Sequence, residues 1–181
     1  MDFLDQIVEL FEGPGGKAYL GEPVSVSEHA LQTAHLAQRA GAELPLVAAG
    51  LLHDIGHIIR PASNSAAIGI DGRHEEVGAD WLSLEFGPEV TEPVRLHVLA
   101  KRYLAAVDPS SNQALSQASV RSLELQGGPM SSPEIAKFEM DPYYRSALQL
   151  RYWDDNAKVP GLIVPALEFY RAVLLACITP G

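Results

Sequence analysis

The stretch Leu44-Pro45-Leu46-Val47-Ala48-Ala49-Gly50-Leu51-Leu52 constrains the fold more than any other part of the chain. It is the longest apolar run, yet far short of the ~18 residues that suggest a membrane span, so the rest of the chain must enclose it. Pro45 suits a first helical position, and the apolar segment from Val47 to Ile59 continues until Pro61 stops it. Within that segment sit His53 and Asp54, followed one helical turn later by His57 on the face of His53. An imidazole and an ionised carboxylate are costly in such surroundings unless a cation or a dense hydrogen-bond network compensates. A buried His–Asp hydrogen bond is the plainer reading of a lone His-Asp pair. With His57 on the same face and apolar residues all around, the segment points to a metal.

The remaining pattern is helical. Ser25-Val26-Ser27-Glu28 has the capping-box form, in which Ser and a Glu three residues later satisfy free backbone amides, and the helix it opens ends near Gly41. Residues 62–73 are small, polar and Gly-containing and read as a loop. Further helices are expected at 74–86, 89–104, 112–124, 132–140, 142–154 and 163–177, with Gly127-Gly128-Pro129 and Pro160-Gly161 as breaks. No sustained period-2 alternation, internal repeat or low-complexity tract interrupts them. The expectation is one all-α domain over residues 1–181, a length that suits the ~100–200 residues of a typical domain.

Charge narrows the partners. Against 13 Lys and Arg stand 23 Asp and Glu, a net charge of −10, and so acidic a surface repels phosphate backbones. No nucleic acid and no membrane are expected as partners, and a small anionic substrate is admitted only where a local positive site is built for it. One cysteine, Cys177, excludes an internal disulfide framework, and the acidic start Met1-Asp2-Phe3-Leu4-Asp5 shows no secretion signal. Both fit a cytoplasmic location.

His29 within the capped helix, the pair His53-Asp54, and Asp154 in Arg151-Tyr152-Trp153-Asp154 resemble the ordered His … His-Asp … Asp set of the HD-domain superfamily, a helical metal-binding fold. His74, where a helix begins, and His97, in mid-helix, raise the count. Six side chains are too many for one ion that must also keep a substrate position open, and they suit two ions with Asp54 bridging. Imidazole and carboxylate ligands with vacant positions favour iron or manganese over a closed zinc site. His35 has no motif partner and reads as structural or exposed.

The resemblance narrows further on motifs that occur in one order: Tyr19-Leu20-Gly21-Glu22, Leu51 to His57, His74 to Leu82, Ala100 to Leu104, Leu123 to Met130 and Arg151 to Asp154. Together they resemble the PhnZ-type HD-domain oxygenases over residues 19–161. That resemblance implies two iron ions per chain as an Fe(II)/Fe(III) pair, with O2 as co-substrate. It also implies a 1-hydroxy-2-(amino or trimethylammonio)ethylphosphonate whose carbon–phosphorus bond is cleaved to inorganic phosphate and glycine or glycine betaine.

An anionic phosphonate in an acidic protein demands fixed positive groups. Lys101 lies one turn after His97, and Arg151 three residues before Asp154, so each shares a helical face with a proposed ligand. Both are read as holding the phosphonate rather than the fold. His57 and, upstream of the Gly-Gly-Pro turn, Ser119 are further donors to it. The resemblance adds Tyr19 as a gate at the open iron position, and it places Tyr19 and Glu22 at the amine end of the substrate.

Two other functions are open to an HD-type chain. A metal-dependent phosphohydrolase acting on a nucleotide or small phosphoester needs, where it is mononuclear, only the four-residue set, so His74 and His97, with the Tyr19/Glu22 segment, argue against it. The Gly-Tyr-Pro signature of cyclic-dinucleotide phosphodiesterases is absent. A non-catalytic sensing or scaffolding module would be expected to have lost ligands, and all six are present.

Overall fold

The structure, a computed structural model, describes residues 2–60, 72–108 and 115–179. Its elements are α1 (Phe3–Glu12), α2 (Val26–Arg39), α3 (Leu44–Leu52), α4 (Ile55–Ile59), α5 (His74–Leu82), α6 (Pro88–Val107), α7 (Gln117–Leu125), α8 (Ser132–Glu139), α9 (Tyr144–Asn156) and α10 (Leu167–Cys177). Among the described residues there is no strand beyond one isolated antiparallel bridge between Phe86 and Ile178, so the expected all-α class holds. None of these helices is long and apolar enough to cross a membrane.

Helix α3 is the axis of the molecule. Its residues from Leu46 to Leu52 are all buried, and α2, α6, α9 and α10 pack around them. The core cluster runs from Leu4 and Ile7 on α1 through Leu51 and Leu52 to Tyr170 and Leu174 on α10. Enclosing each leucine stabilises the fold by ~1.5–3 kcal/mol relative to leaving it in water. A second, smaller cluster joins Leu96 and Ala100 of α6 to Met130, Phe138 and Ala147.

Two local features differ from the sequence expectation. Helix α1 has a capping box built by Asp2 and Asp5, and buries Leu4, Ile7 and Phe11 at helical spacing. The expected single segment to Ile59 is broken in two. His53 caps α3, Asp54 takes φ −99° and ψ 9° in the bridge region, and α4 starts at Ile55. The break has a clear function in the packing: it turns the chain so that two consecutive side chains face one point. The loop read at 62–73 and the start of the helix read at 112–124 lie mostly outside the described residues; Gly72 and Arg73 lead into α5, and α7 starts at Gln117.

Gly56 sets the crossing of α4 and α5. A Cβ there would stand 2.0 Å from the carbonyl oxygen of His74 and 3.0 Å from the amide nitrogen of Gly78. Only a residue without a side chain lets the two helices approach so closely.

Candidate metal centre

Five elements deliver the ligand atoms. The Ser25–Glu28 box fixes the start of α2 and with it His29; the break between α3 and α4 supplies His53 and Asp54; α5 opens on His74; α6 carries His97; and α9 carries Asp154. His29, His53, His97 and Asp154 are buried, with His53 fully enclosed.

Their geometry is that of two adjoining sites. The Nε2 atoms of His29 and His53 are 3.1 Å apart, and Asp154 Oδ1 lies 3.2 Å from the former. On the other side the Nε2 atoms of His74 and His97 are also 3.1 Å apart. Asp54 stands between. Its Oδ2 is 3.5 Å from His53 Nε2 and 3.8 Å from His29 Nε2, while its Oδ1 is 3.3 Å from His74 Nε2 and 3.6 Å from His97 Nε2. Donors bound ~2.1 Å from one ion at near right angles are themselves about 3 Å apart, which matches these spacings.

The protonation chemistry makes the same point. The Nδ1 atoms of His29, His53 and His97 face the carbonyls of Ala157, Gly50 and Val94 at 2.9, 2.9 and 2.7 Å. A carbonyl only accepts, so each Nδ1 carries a proton and each Nε2 is the atom that faces the centre. Burial lowers the His53 imidazole and holds His97 well below its usual range, so both rings are neutral. Against burial, Asp154 beside His29 and Asp54 beside His74 raise those two imidazoles, so without an ion a proton bridges each 3.1 Å contact, the place a metal ion would take. Burial penalises the Asp54 and Asp154 carboxylates, but His53 and His74 around the first and Arg151 and His29 around the second outweigh it and keep both ionised. The donor set therefore fits a metal centre.

The six side chains read from the sequence as ligands are brought together. His57 joins them: its ring stacks on His74 at 3.9 Å between centroids, and Asp54, His57 and His74 each offer an atom within 4.8 Å of the others. Burial first, then His74, pushes its imidazole down to about 3, so it too is neutral. Lys101 is buried and donates to Ser122 Oγ at 2.8 Å. Arg151 is buried as well, donating to Asp154 Oδ2 at 2.6 Å and forming a two-pronged pair with Asp155, so it also orients a candidate ligand. Tyr19 is more exposed than these, in a tight turn closed by Glu22 N donating to the Tyr19 carbonyl at 2.7 Å, with Leu20 and Gly21 both at positive φ. Ser119 Oγ accepts from Lys158 Nζ at 3.0 Å, and Glu22 Oε1 accepts from the same ammonium at 3.0 Å. Sequence reasoning missed Lys158, although it lies four residues after Asp154, the spacing that singled out Lys101 after His97.

Residues 26–142 match the HD domain family. The chain belongs to that family. Among curated relatives of this HD-domain chain is the hydroxymethylphosphonate dioxygenase of Gimesia maris, 45% identical over 178 residues, which are 96% of this chain and 89% of the relative. Another is the [1-hydroxy-2-(trimethylamino)ethyl]phosphonate dioxygenase (glycine-betaine-forming) of Leisingera caerulea, 41% identical over 157 residues, 86% of this chain and 80% of the relative. The sequence resemblance to the PhnZ-type oxygenases within the HD-domain family thus stands on independent comparison.

Proposed function

We propose that this protein is a diiron oxygenase that uses O2 to cleave the carbon–phosphorus bond of a 1-hydroxyphosphonate. The observation that carries the reading is Asp54, whose two oxygens face two separate pairs of histidine Nε2 atoms. That arrangement supports two ions, one held by His29, His53 and Asp154, the other by His74 and His97, with Asp54 shared. The relatives' names support the chemistry, since both act on a phosphonate that bears a hydroxyl on the carbon next to phosphorus. Residues 1–181 are proposed as one HD domain, supported by the core cluster that joins α1 to α10. A cytoplasmic location is part of the same proposal.

The reaction balances as hydroxyphosphonate plus O2 giving carboxylate, hydrogenphosphate and one proton. The products are glycine or glycine betaine from an aminated or trimethylated substrate, and formate from hydroxymethylphosphonate. An Fe(II)/Fe(III) pair supplies the redox capacity and the Lewis acidity that organise substrate and O2. The chain's own residues bind and orient. Lys101 and the Arg151 guanidinium offset the phosphonate's charge, with His57 and Ser119 as further donors. Buried backbone carbonyls on Nδ1 hold the imidazoles in one tautomer, and the Asp155 pair fixes Arg151 against Asp154. Tyr19, exposed on its turn, is proposed as the gate to the open metal position. A phosphohydrolase is less well supported: a mononuclear one has no use for a second histidine pair, and both relatives are named as dioxygenases. Iron-loaded protein should release phosphate from a hydroxyphosphonate in air and stop under strict anaerobiosis; equal turnover without O2 would return the protein to the hydrolases.

A further inference from the structure

Among the described residues two carboxylates are buried, those of Asp154 and Glu75. Asp154 is a candidate ligand, whereas Glu75 belongs neither to the ligand set nor to the phosphonate anchors. Burying an acid costs free energy unless its charge acts on something close by. The ring beside it is that of His74, whose Nδ1 is 3.6 Å from Glu75 Oε2. The other three ligand rings are backed by the main chain. His53 and His97 each face the carbonyl three residues earlier, of Gly50 and Val94, and His29 faces that of Ala157. His74 cannot copy the first two, because it is the first residue of α5 and no carbonyl of that helix precedes it. Its ring stacks on His57 at 3.9 Å between centroids and presents Nδ1 to a carboxylate instead.

We infer that Glu75 is a positioning residue for the His74–His97 metal site: its carboxylate, set behind His74, selects the tautomer that turns Nε2 to the ion and adds a negative charge to that site. The inference rests on the two-ion centre proposed above and deepens it. At 3.6 Å the contact is longer than a hydrogen bond, so it acts through charge. A proton on Nδ1 is attracted by the carboxylate, and a lone pair there would be repelled, so the proton stays on Nδ1 and Nε2 is left for the ion. The surroundings of the two sites then differ. Asp154, on the His29–His53 side, is offset by Arg151 at 2.6 Å and Lys158 at 4.0 Å. Behind His74 stands an added anion, which strengthens the hold on a cation and favours its higher oxidation state. Glu76 supplies the comparison. It shares the first turn of α5, where acidic side chains stabilise a helix, but pairs with Arg73.

The test compares wild type, Glu75→Gln and Glu76→Gln. Each is titrated anaerobically with Fe(II) against a competing chelator, and the potential of the bound iron is then measured by spectroelectrochemistry. The wild type should hold two ions. Glu75→Gln keeps the size of the side chain and loses its charge, so one of the two affinities should fall by about ten- to a hundredfold while the other stays unchanged. The potential should rise, by ~59 mV for each tenfold loss of ferric over ferrous preference. Glu76→Gln removes the same helix-end charge and should change neither reading. Wild-type affinities and potential in Glu75→Gln overturn the inference. So does an equal loss at both ions, or the same loss in Glu76→Gln, either of which makes Glu75 a helix-stabilising residue. Should Glu75→Gln fail to fold, Glu75→Asp decides: it draws the charge back from the ring and should show both changes in smaller measure, and their absence overturns the inference. A wild type that holds a single ion overturns the two-ion reading itself, and the inference falls with it.

Discussion

Replacing Gly56 with alanine should empty half of the metal centre without touching a ligand. The added Cβ would lie 2.0 Å from the His74 carbonyl oxygen and 2.8 Å from its carbonyl carbon, with Gly78 N at 3.0 Å closing the other direction. The obstructing atoms are backbone, so α5 must retreat by roughly 1 Å or more, an overpacking that costs ~1–3 kcal/mol. For a chain of this size that lowers Tm by about 2–12 °C. The larger effect falls on His74, the first residue of α5, whose Nε2 now stands 3.3 Å from Asp54 Oδ1 and 3.1 Å from His97 Nε2. Metal–ligand distances tolerate only ~0.2 Å, so such a shift removes His74 from any ion it holds. Iron quantified after loading and desalting should fall from two per chain toward one, with thermal denaturation reporting the smaller stability loss. Gly50→Ala is the control: its Cβ would meet Ala34 Cα at an ordinary 3.5 Å, and iron content should not change. A Gly56→Ala protein with two irons and the wild-type Tm would refute the argument that the helix crossing positions the second site.

Lys101→Met should raise KM for a hydroxyphosphonate by about ten- to a hundredfold, the effect of losing a charge-assisted hydrogen bond of ~1.5–3 kcal/mol, while iron content stays constant. Burial, then Arg151, lowers the Lys101 ammonium to about 8 against the opposing pull of Asp154, Asp54 and Asp155. The charged form exists below that value, so wild-type affinity for the anion should fall as pH rises through 8, and the steady-state pH profile of Lys101→Met should lack that limb. Chelation should lower Tm, because ions held by the folded His29–His53 and His74–His97 pairs and not by the unfolded chain stabilise the fold by mass action; an unchanged Tm after verified iron removal would contradict a metal held by these pairs.

The parts of this site that follow local rules were legible in the sequence. The Ser25–Glu28 box placed α2 and His29, the apolar run placed α3, and the ordered histidines and acids named the side chains that converge. The turn at His53-Asp54 was not legible, because apolar residues on both sides read as one helix. What breaks it is tertiary: the approach of α4 to α5 at Gly56. Helix α1 was missed because Asp5 stands where a capping box more often has Glu or Gln. The Glu22–Lys158 pair joins residues 136 positions apart, a separation that no helical period reports. Arg151 shows the opposite case. Its place on the face of Asp154 was readable, but its burial against Asp154 and Asp155 gives it a share in orienting a ligand that spacing alone does not reveal.

The most direct test of oxidative carbon–phosphorus cleavage follows the oxygen atoms. Iron-loaded protein and hydroxymethylphosphonate are incubated under 18O2 in ordinary water, with O2 uptake and phosphate release recorded together and the products analysed by mass spectrometry. The account predicts one O2 consumed per phosphate released and 18O in the products. Phosphate release without O2 uptake, with all new oxygen drawn from water, would contradict it.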